Sequence, residues 1–204
     1  MAEPRGLFSA ADHTPVRLQA HIEDALTGNG VIADRGITHL VDIGSGGGIP
    51  GIPLVLSHPT LHADFVESRG WKASFLRETA TALGLADRIR VVAARAEECV
   101  PVLGREAADA MSCRALAAPM VAAEYGAPLV RVGGVLLLWS TQSVADAFTP
   151  PHSVEQLGLS PQPVVVPARS SLRDDGVILV WEKTHPTSER FPRRAGVASR
   201  NPLS

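Results

Sequence analysis

Between Leu40 and Gly51 the chain reads Leu-Val-Asp-Ile-Gly-Ser-Gly-Gly-Gly-Ile-Pro-Gly, an apolar run with one acid that passes straight into a glycine-rich turn. Glycines let a chain turn sharply off a strand and leave bare backbone for a ligand to lie against. In an open α/β sheet the first strand–helix turn is the usual ligand crevice. Two spacings coexist here. Gly46-x-Gly48-x-x-Gly51 fits a dinucleotide fingerprint, with Glu67 about 20 residues on, where a ribose-binding acid belongs. Pro50 and Pro53 weigh against that frame, because they remove amide donors that a pyrophosphate would use at the helix start. In the second frame, Asp42-x-Gly44-x-Gly46-x-Gly48, an acid stands two residues before a GxGxG run. That arrangement suits a ligand with cationic groups and no phosphate. Glu67 has the same task in both frames, as a carboxylate acceptor for ribose hydroxyls.

A second candidate is Arg114, which follows an apolar segment and is the only charged residue from Met111 to Ala117. An isolated arginine at the carboxyl edge of a sheet points to a ligand. Other chemistries find little support. Cys99 and Cys113 form no CxxC pair, and Cys113 lacks the Pro-Cys setting of a covalent cytosine-C5 mechanism. No Asn/Asp-Pro-Pro-Tyr/Phe motif, the grip for an exocyclic amine, follows the segment. Pro59 separates His58 from His62, and no histidine pair reads as catalytic or metal-binding, so no metal is expected.

The elements that must position these residues alternate. Apolar runs at 38–43, 61–66, 89–93, 110–113, 135–139, 164–166 and 177–181 read as strands. Helical spacing appears at 16–26 and 70–83, and helical or loop segments are expected at 96–103, 119–129 and 144–157. The pattern predicts an α/β fold with a mostly parallel sheet. Residues 167–175 leave no room for a crossover helix, so the last two strands should pair as an antiparallel hairpin. A short N-terminal helical segment (1–37), a ligand-binding domain (38–184) and an Arg/Pro-rich tail (185–204) are expected.

The acid-plus-GxGxG frame resembles the nucleotide loop of class I S-adenosylmethionine (SAM) methyltransferases. The residues around it narrow the likeness. Gly44-Ser45-Gly46-Gly47-Gly48-Ile49-Pro50-Gly51-Ile52-Pro53-Leu54 resembles the GSGxGxPGIPL signature of bacterial 16S ribosomal RNA guanine-N7 methyltransferases, the RsmG or glucose-inhibited division protein B family. His21-Ile22-Glu23-Asp24-Ala25-Leu26 looks like that family's HxxDSL helix, and Arg95-Ala96-Glu97-Glu98, Asp109, Arg114-Ala115 and Phe191-Pro192-Arg193-Arg194 extend the match. The resemblance implies a Rossmann-like fold with a seven-stranded sheet, SAM as cofactor, and 16S ribosomal RNA or the small subunit as partner. It implies Gly44 and Ile49 at the cofactor, Gly46 and Gly48 shaping the loop, Glu67 on the ribose, and Ala96 and Glu97 beside the adenine. On the residues alone, Glu97 and Glu98 read as an ordinary helix start. Arg114 would meet both SAM and substrate. Asp42 completes the implied cofactor set.

The chain also departs from the family pattern. About 20 residues precede the HxxD helix where the family has a longer helical region, Trp139-Ser140 replaces a Lys-Gly pair, and Trp71 stands where many members carry a basic residue. The alternatives are a related methyltransferase for a small molecule and a weakened SAM- or RNA-binding paralogue.

Composition fits this frame. The chain has 204 residues, 45% of them hydrophobic, enough for one sizeable core and too apolar for disorder throughout. Its formal charge of −2 hides an uneven distribution, because residues 185–204 carry +3 and the remainder −5. Arg193, Arg194 and Arg200 in that tail, with Lys72, are the candidate RNA contacts. No apolar run reaches membrane-spanning length and Met1-Ala2-Glu3-Pro4-Arg5 lacks a signal-like stretch, so a cytoplasmic monomer away from membranes is expected.

Overall fold

The computed structural model describes residues 14–204. The start of the N-terminal segment expected at 1–37 falls on residues 1–13, outside that range. Helix α1 (Pro15–Leu26) starts on Thr14, whose hydroxyl accepts from the Arg17 amide, with Pro15 preset for the first helical position. A short α2 (Asn29–Asp34) leads to β1 (His39–Ile43). Then follow α3 (Gly51–Ser57), β2 (His62–Val66), α4 (Gly70–Ala82), β3 (Ile89–Val92) and α5 (Val100–Leu103). The chain continues through β4 (Ala108–Arg114), α6 (Pro119–Gly126), β5 (Val130–Thr141), α7 (Gln142–Ala147), β6 (Val164–Pro167), β7 (Gly176–Glu182) and α8 (Val197–Arg200).

All seven strands form one sheet in the order β3-β2-β1-β4-β5-β7-β6. The first five are parallel; β7 runs antiparallel to both β5 and β6. The hairpin expectation therefore holds, and β7 inserts between β5 and β6. From β1 the chain winds outward through β2 and β3, then returns to lay β4 on the other side of β1. The carboxyl ends of β1 and β4 thus form the crevice where strand order reverses.

Strand alternation divides the core. Val41, Ile43, Met111, Leu136 and Leu138 belong to one apolar cluster; Leu40, Ala110, Val135, Leu137 and Trp139 belong to the other. Asp109 ties the entry of β1 to β4, its Oδ2 accepting the Thr38 and His39 amides at 2.9 Å each. Partial burial pushes this carboxyl up, but hydrogen bonds from Thr38, His39 and Arg131 outweigh it and bring it down to about 2.

Pro50 and Pro53 do stand at a helix start, as expected, in the cap and first turn of α3, where no intrahelical donor is needed. Several elements differ from the sequence reading. Strand β5 runs to 12 residues, and its register against β4 shifts between Ala108 and Ala110. Gly134 permits this, because a Cβ there would lie 2.3 Å from the Asp109 carbonyl oxygen. Segment 96–103 divides into a 3₁₀ turn (Ala96–Glu98) and α5, and 144–157 divides into α7 and a 3₁₀ turn (His152–Leu157). The Arg/Pro-rich tail is packed on the domain: Phe191 and Ala198 are buried within the first apolar cluster. No helix among the described residues is long and apolar enough to cross a membrane.

Candidate active site

A cavity of about 450 Å³ opens at the carboxyl ends of β1, β2 and β4. Gly44 and Gly46 form its floor, Glu67 follows β2, Ala96 and Glu97 follow β3, and Arg114 ends β4. These six sequence-predicted residues come together although up to 70 positions separate them. Gly44 has φ of +71°, and its amide donates to the Val66 carbonyl at 2.8 Å. A Cβ there would meet only the end of the exposed Leu116 side chain at 2.7 Å, which can shift, so it is the positive φ that calls for glycine.

Glu67 is nearly buried, and its carboxylate faces the loop rather than solvent. Oε2 accepts from the Gly46 amide at 3.1 Å and Oε1 from the Arg69 amide at 2.8 Å, beside the start of α4. Two accepted bonds leave a carboxylate with further lone pairs, so this group can still receive two vicinal hydroxyls. Across the cavity, Glu97 Oε1 accepts from the Gly196 amide at 2.8 Å, which draws the C-terminal segment into the wall. Burial, followed by the neighbouring Glu97, pushes the Tyr125 phenol up from its ordinary value. Arg69, Lys72 and Arg95 supply positive charge around the cavity.

Arg114 is held from below by α1. Its Nη2 donates to His21 Nδ1, and its Nε lies 3.4 Å from Asp24 Oδ2. Asp24, fully buried, also takes Nε and Nη2 of Arg173 at 2.9 and 2.8 Å. Sequence reasoning matched His21 and Asp24 to a family helix without giving them a task. It missed Arg173 altogether. The available signal was their spacing of three, which sets two polar groups on one helix face, here the buried one.

Other predicted residues lie elsewhere. Asp42, Gly48 and Ile49 are outside this cavity's lining. Asp42 points to the opposite side from Val41 and Ile43, beneath α3: a Cβ on Gly51 would stand 3.0 Å from Asp42 Oδ2. Asp42 Oδ1 accepts from Ser112 Oγ at 2.6 Å, whereas Oδ2 is buried with no hydrogen-bond partner among the described residues. Burial outweighs that hydrogen bond and pushes the carboxyl up to about 6. Lys72 lines the cavity, with Nζ 5.5 Å from the centre of the exposed Trp71 ring. Arg194 and Arg200 are exposed, but Arg193 is engaged internally by buried Glu124. Cys113 is buried at the end of β4, and burial pushes its thiol up to about 12, far from a reactive thiolate.

Comparison with known proteins decides the family. The GidB family profile, described as rRNA small subunit methyltransferase G, matches residues 3–160. The chain belongs to this family. The Ribosomal RNA small subunit methyltransferase G of Roseiflexus castenholzii is 37% identical over 175 residues, covering 81% of this chain and 71% of that protein. Its counterpart from Syntrophomonas wolfei is 34% identical over 190 residues, covering 93% and 87%. Among solved structures, an O-methyltransferase family protein from Burkholderia thailandensis superposes with a TM-score of 0.60 at 18% identity, over 83% of this chain and 57% of that one. That likeness carries the fold alone: the mixed seven-stranded sheet of a class I SAM-dependent methyltransferase. Gly44, Glu67 and Arg114 thus meet at the crevice expected for this fold.

Proposed function

We propose that this GidB-family chain transfers the methyl group of SAM to N7 of a guanine in 16S ribosomal RNA. The observation that carries the reading is the convergence of the Gly44 turn, Glu67 and Arg114 on one cavity in a chain of this family. The residues fit SAM. Glu67 retains acceptor capacity for the ribose hydroxyls, and the glycine turn admits a ligand against its backbone. Bound there, SAM supplies a methyl group activated by its sulfonium.

The chain's own part is mainly alignment. Guanine N7 carries an exposed lone pair, so no proton has to leave before it attacks. Accordingly, among the described residues neither histidine nor cysteine lines the cavity. Holding N7, methyl and sulfur in line while excluding water is the main contribution such a site makes. Arg114 lies where its guanidinium can face the acceptor. Arg69, Lys72 and Arg95, with exposed Arg194 and Arg200 on the adjoining C-terminal segment, offer the charge that an RNA backbone needs.

The deciding experiment is nucleoside mass spectrometry of 16S ribosomal RNA after small subunits lacking the modification are incubated with protein and SAM. One new N7-methylguanine is expected; an unchanged nucleoside profile overturns the reading. Arg114→Ala should lower turnover about 100-fold while the protein still folds. Wild-type turnover in that variant removes Arg114 from the transfer site.

A further inference from the structure

The His21/Asp24 pair of α1 has no place in the transfer chemistry above, yet it is built into the fold beneath Arg114. Asp24 is fully buried and its carboxylate lies between two guanidiniums. Arg173, on the loop between β6 and β7, takes both oxygens: Nε to Oδ1 at 2.9 Å and Nη2 to Oδ2 at 2.8 Å. Arg114 stands farther off, its Nε 3.4 Å from Oδ2. Arg173 engages both oxygens with a two-pronged, charge-assisted grip, and Arg114 meets the same carboxylate from its edge.

His21 adds direction. An arginine only donates, so His21 Nδ1 accepts from Arg114 Nη2. Arg114 lines the cavity and Arg173 does not. The clamp is itself anchored: Trp139 Nε1 donates to the Asp24 carbonyl at 2.9 Å, and Arg173 Nη1 reaches the Ser140 carbonyl at 3.4 Å.

We propose that Asp24 and Arg173 are positioning residues, which hold Arg114 toward the transfer cavity. The inference rests on the reading of Arg114 as part of the transfer site. Removing Arg173 leaves a buried carboxylate seeking a partner, and Arg114 is the nearest cation to satisfy it. Arg173 would thus matter to turnover although it lies outside the cavity.

The test is a double-mutant cycle read as kcat on small ribosomal subunits, with SAM affinity measured by calorimetry. Asp24→Asn and Arg173→Ala should each lower kcat about 10-fold or more through misplacement of Arg114. SAM affinity should change by less than about three-fold, and in an Arg114→Ala background neither substitution should lower kcat further. Asp24→Glu should recover part of what Asp24→Asn loses. If Asp24→Asn or Arg173→Ala fails to fold, Arg173→Lys carries the test, since it keeps the charge without the fork and should lose kcat in the same Arg114-dependent way. Full additive losses in the Arg114→Ala background, or wild-type kcat in whichever Arg173 variant carries the test, overturn the positioning role alone. Wild-type kcat in Arg114→Ala overturns the reading of Arg114 and this inference together.

Discussion

Arg193 grips the carboxylate of Glu124 from two sides, donating from Nε to Oε1 at 2.8 Å and from Nη2 to Oε2 at 2.5 Å. Glu124 is buried on α6, and the Arg193 amide donates to the same carboxylate at 3.2 Å. The pair fastens the C-terminal segment to the wall of the domain. Arg193→Ala leaves a buried carboxylate without its cation and should destabilise the protein by about 3 kcal/mol. Arg193→Lys should recover only part of this, because an ammonium does not reproduce the fork. Urea unfolding of the three proteins checks it. An Arg193 that acted chiefly on RNA phosphate would instead lower RNA affinity and leave the unfolding midpoint in place.

Asp42 predicts an inverted pH dependence. Its carboxyl, ordinarily at 3.8, is pushed up to about 6 by burial, so the folded state holds the proton more tightly than the unfolded chain. Its contribution is therefore favourable at low pH, is lost as pH rises between about 4 and 6, and stays lost above. By linkage, ionising Asp42 in the fold costs at most about 3 kcal/mol at pH 7. Asp42→Asn keeps an acceptor for Ser112 and removes the charge. Relative to wild type, the variant should gain about 1–3 kcal/mol at pH 7 and little at pH 4. Denaturant midpoints across that range check this, and a constant difference between the proteins would contradict it.

Much of the fold was legible because short apolar runs alternate with helical spacing, and because the short connection before β7 admits only a hairpin. The Gly44 turn, Glu67 and Arg114 were legible because each falls at a strand end, where an α/β sheet gathers its ligand residues. Asp42 shows the limit. Strand alternation sets it out of phase with Val41 and Ile43, but sequence alone does not say which face α3 covers. Asp24 and Arg173 are 149 positions apart, and only the fold of the β6–β7 loop brings them together. The tail misleads for a related reason: its arginines read as RNA contacts, whereas Phe191 and Arg193 are used for packing and pairing. Charge composition does not distinguish a phosphate contact from an internal ion pair.

Glu67 offers a separation of binding from chemistry. Its carboxylate holds the Gly46 and Arg69 amides and, in the proposed complex, the ribose hydroxyls as well. Glu67→Gln preserves the shape but replaces a charged acceptor by a neutral amide, half of which donates. Loss of charge-assisted hydrogen bonds should weaken S-adenosylhomocysteine binding about 10- to 100-fold, measurable by calorimetry. The ribose lies away from the transferred methyl, so at saturating SAM kcat should stay within about three-fold of wild type. Arg114→Ala should give the reverse, a large fall in kcat with cofactor affinity little changed. A kcat collapse in Glu67→Gln at saturating SAM would move Glu67 from holding the cofactor to shaping the reacting geometry, through the Gly46 amide it restrains.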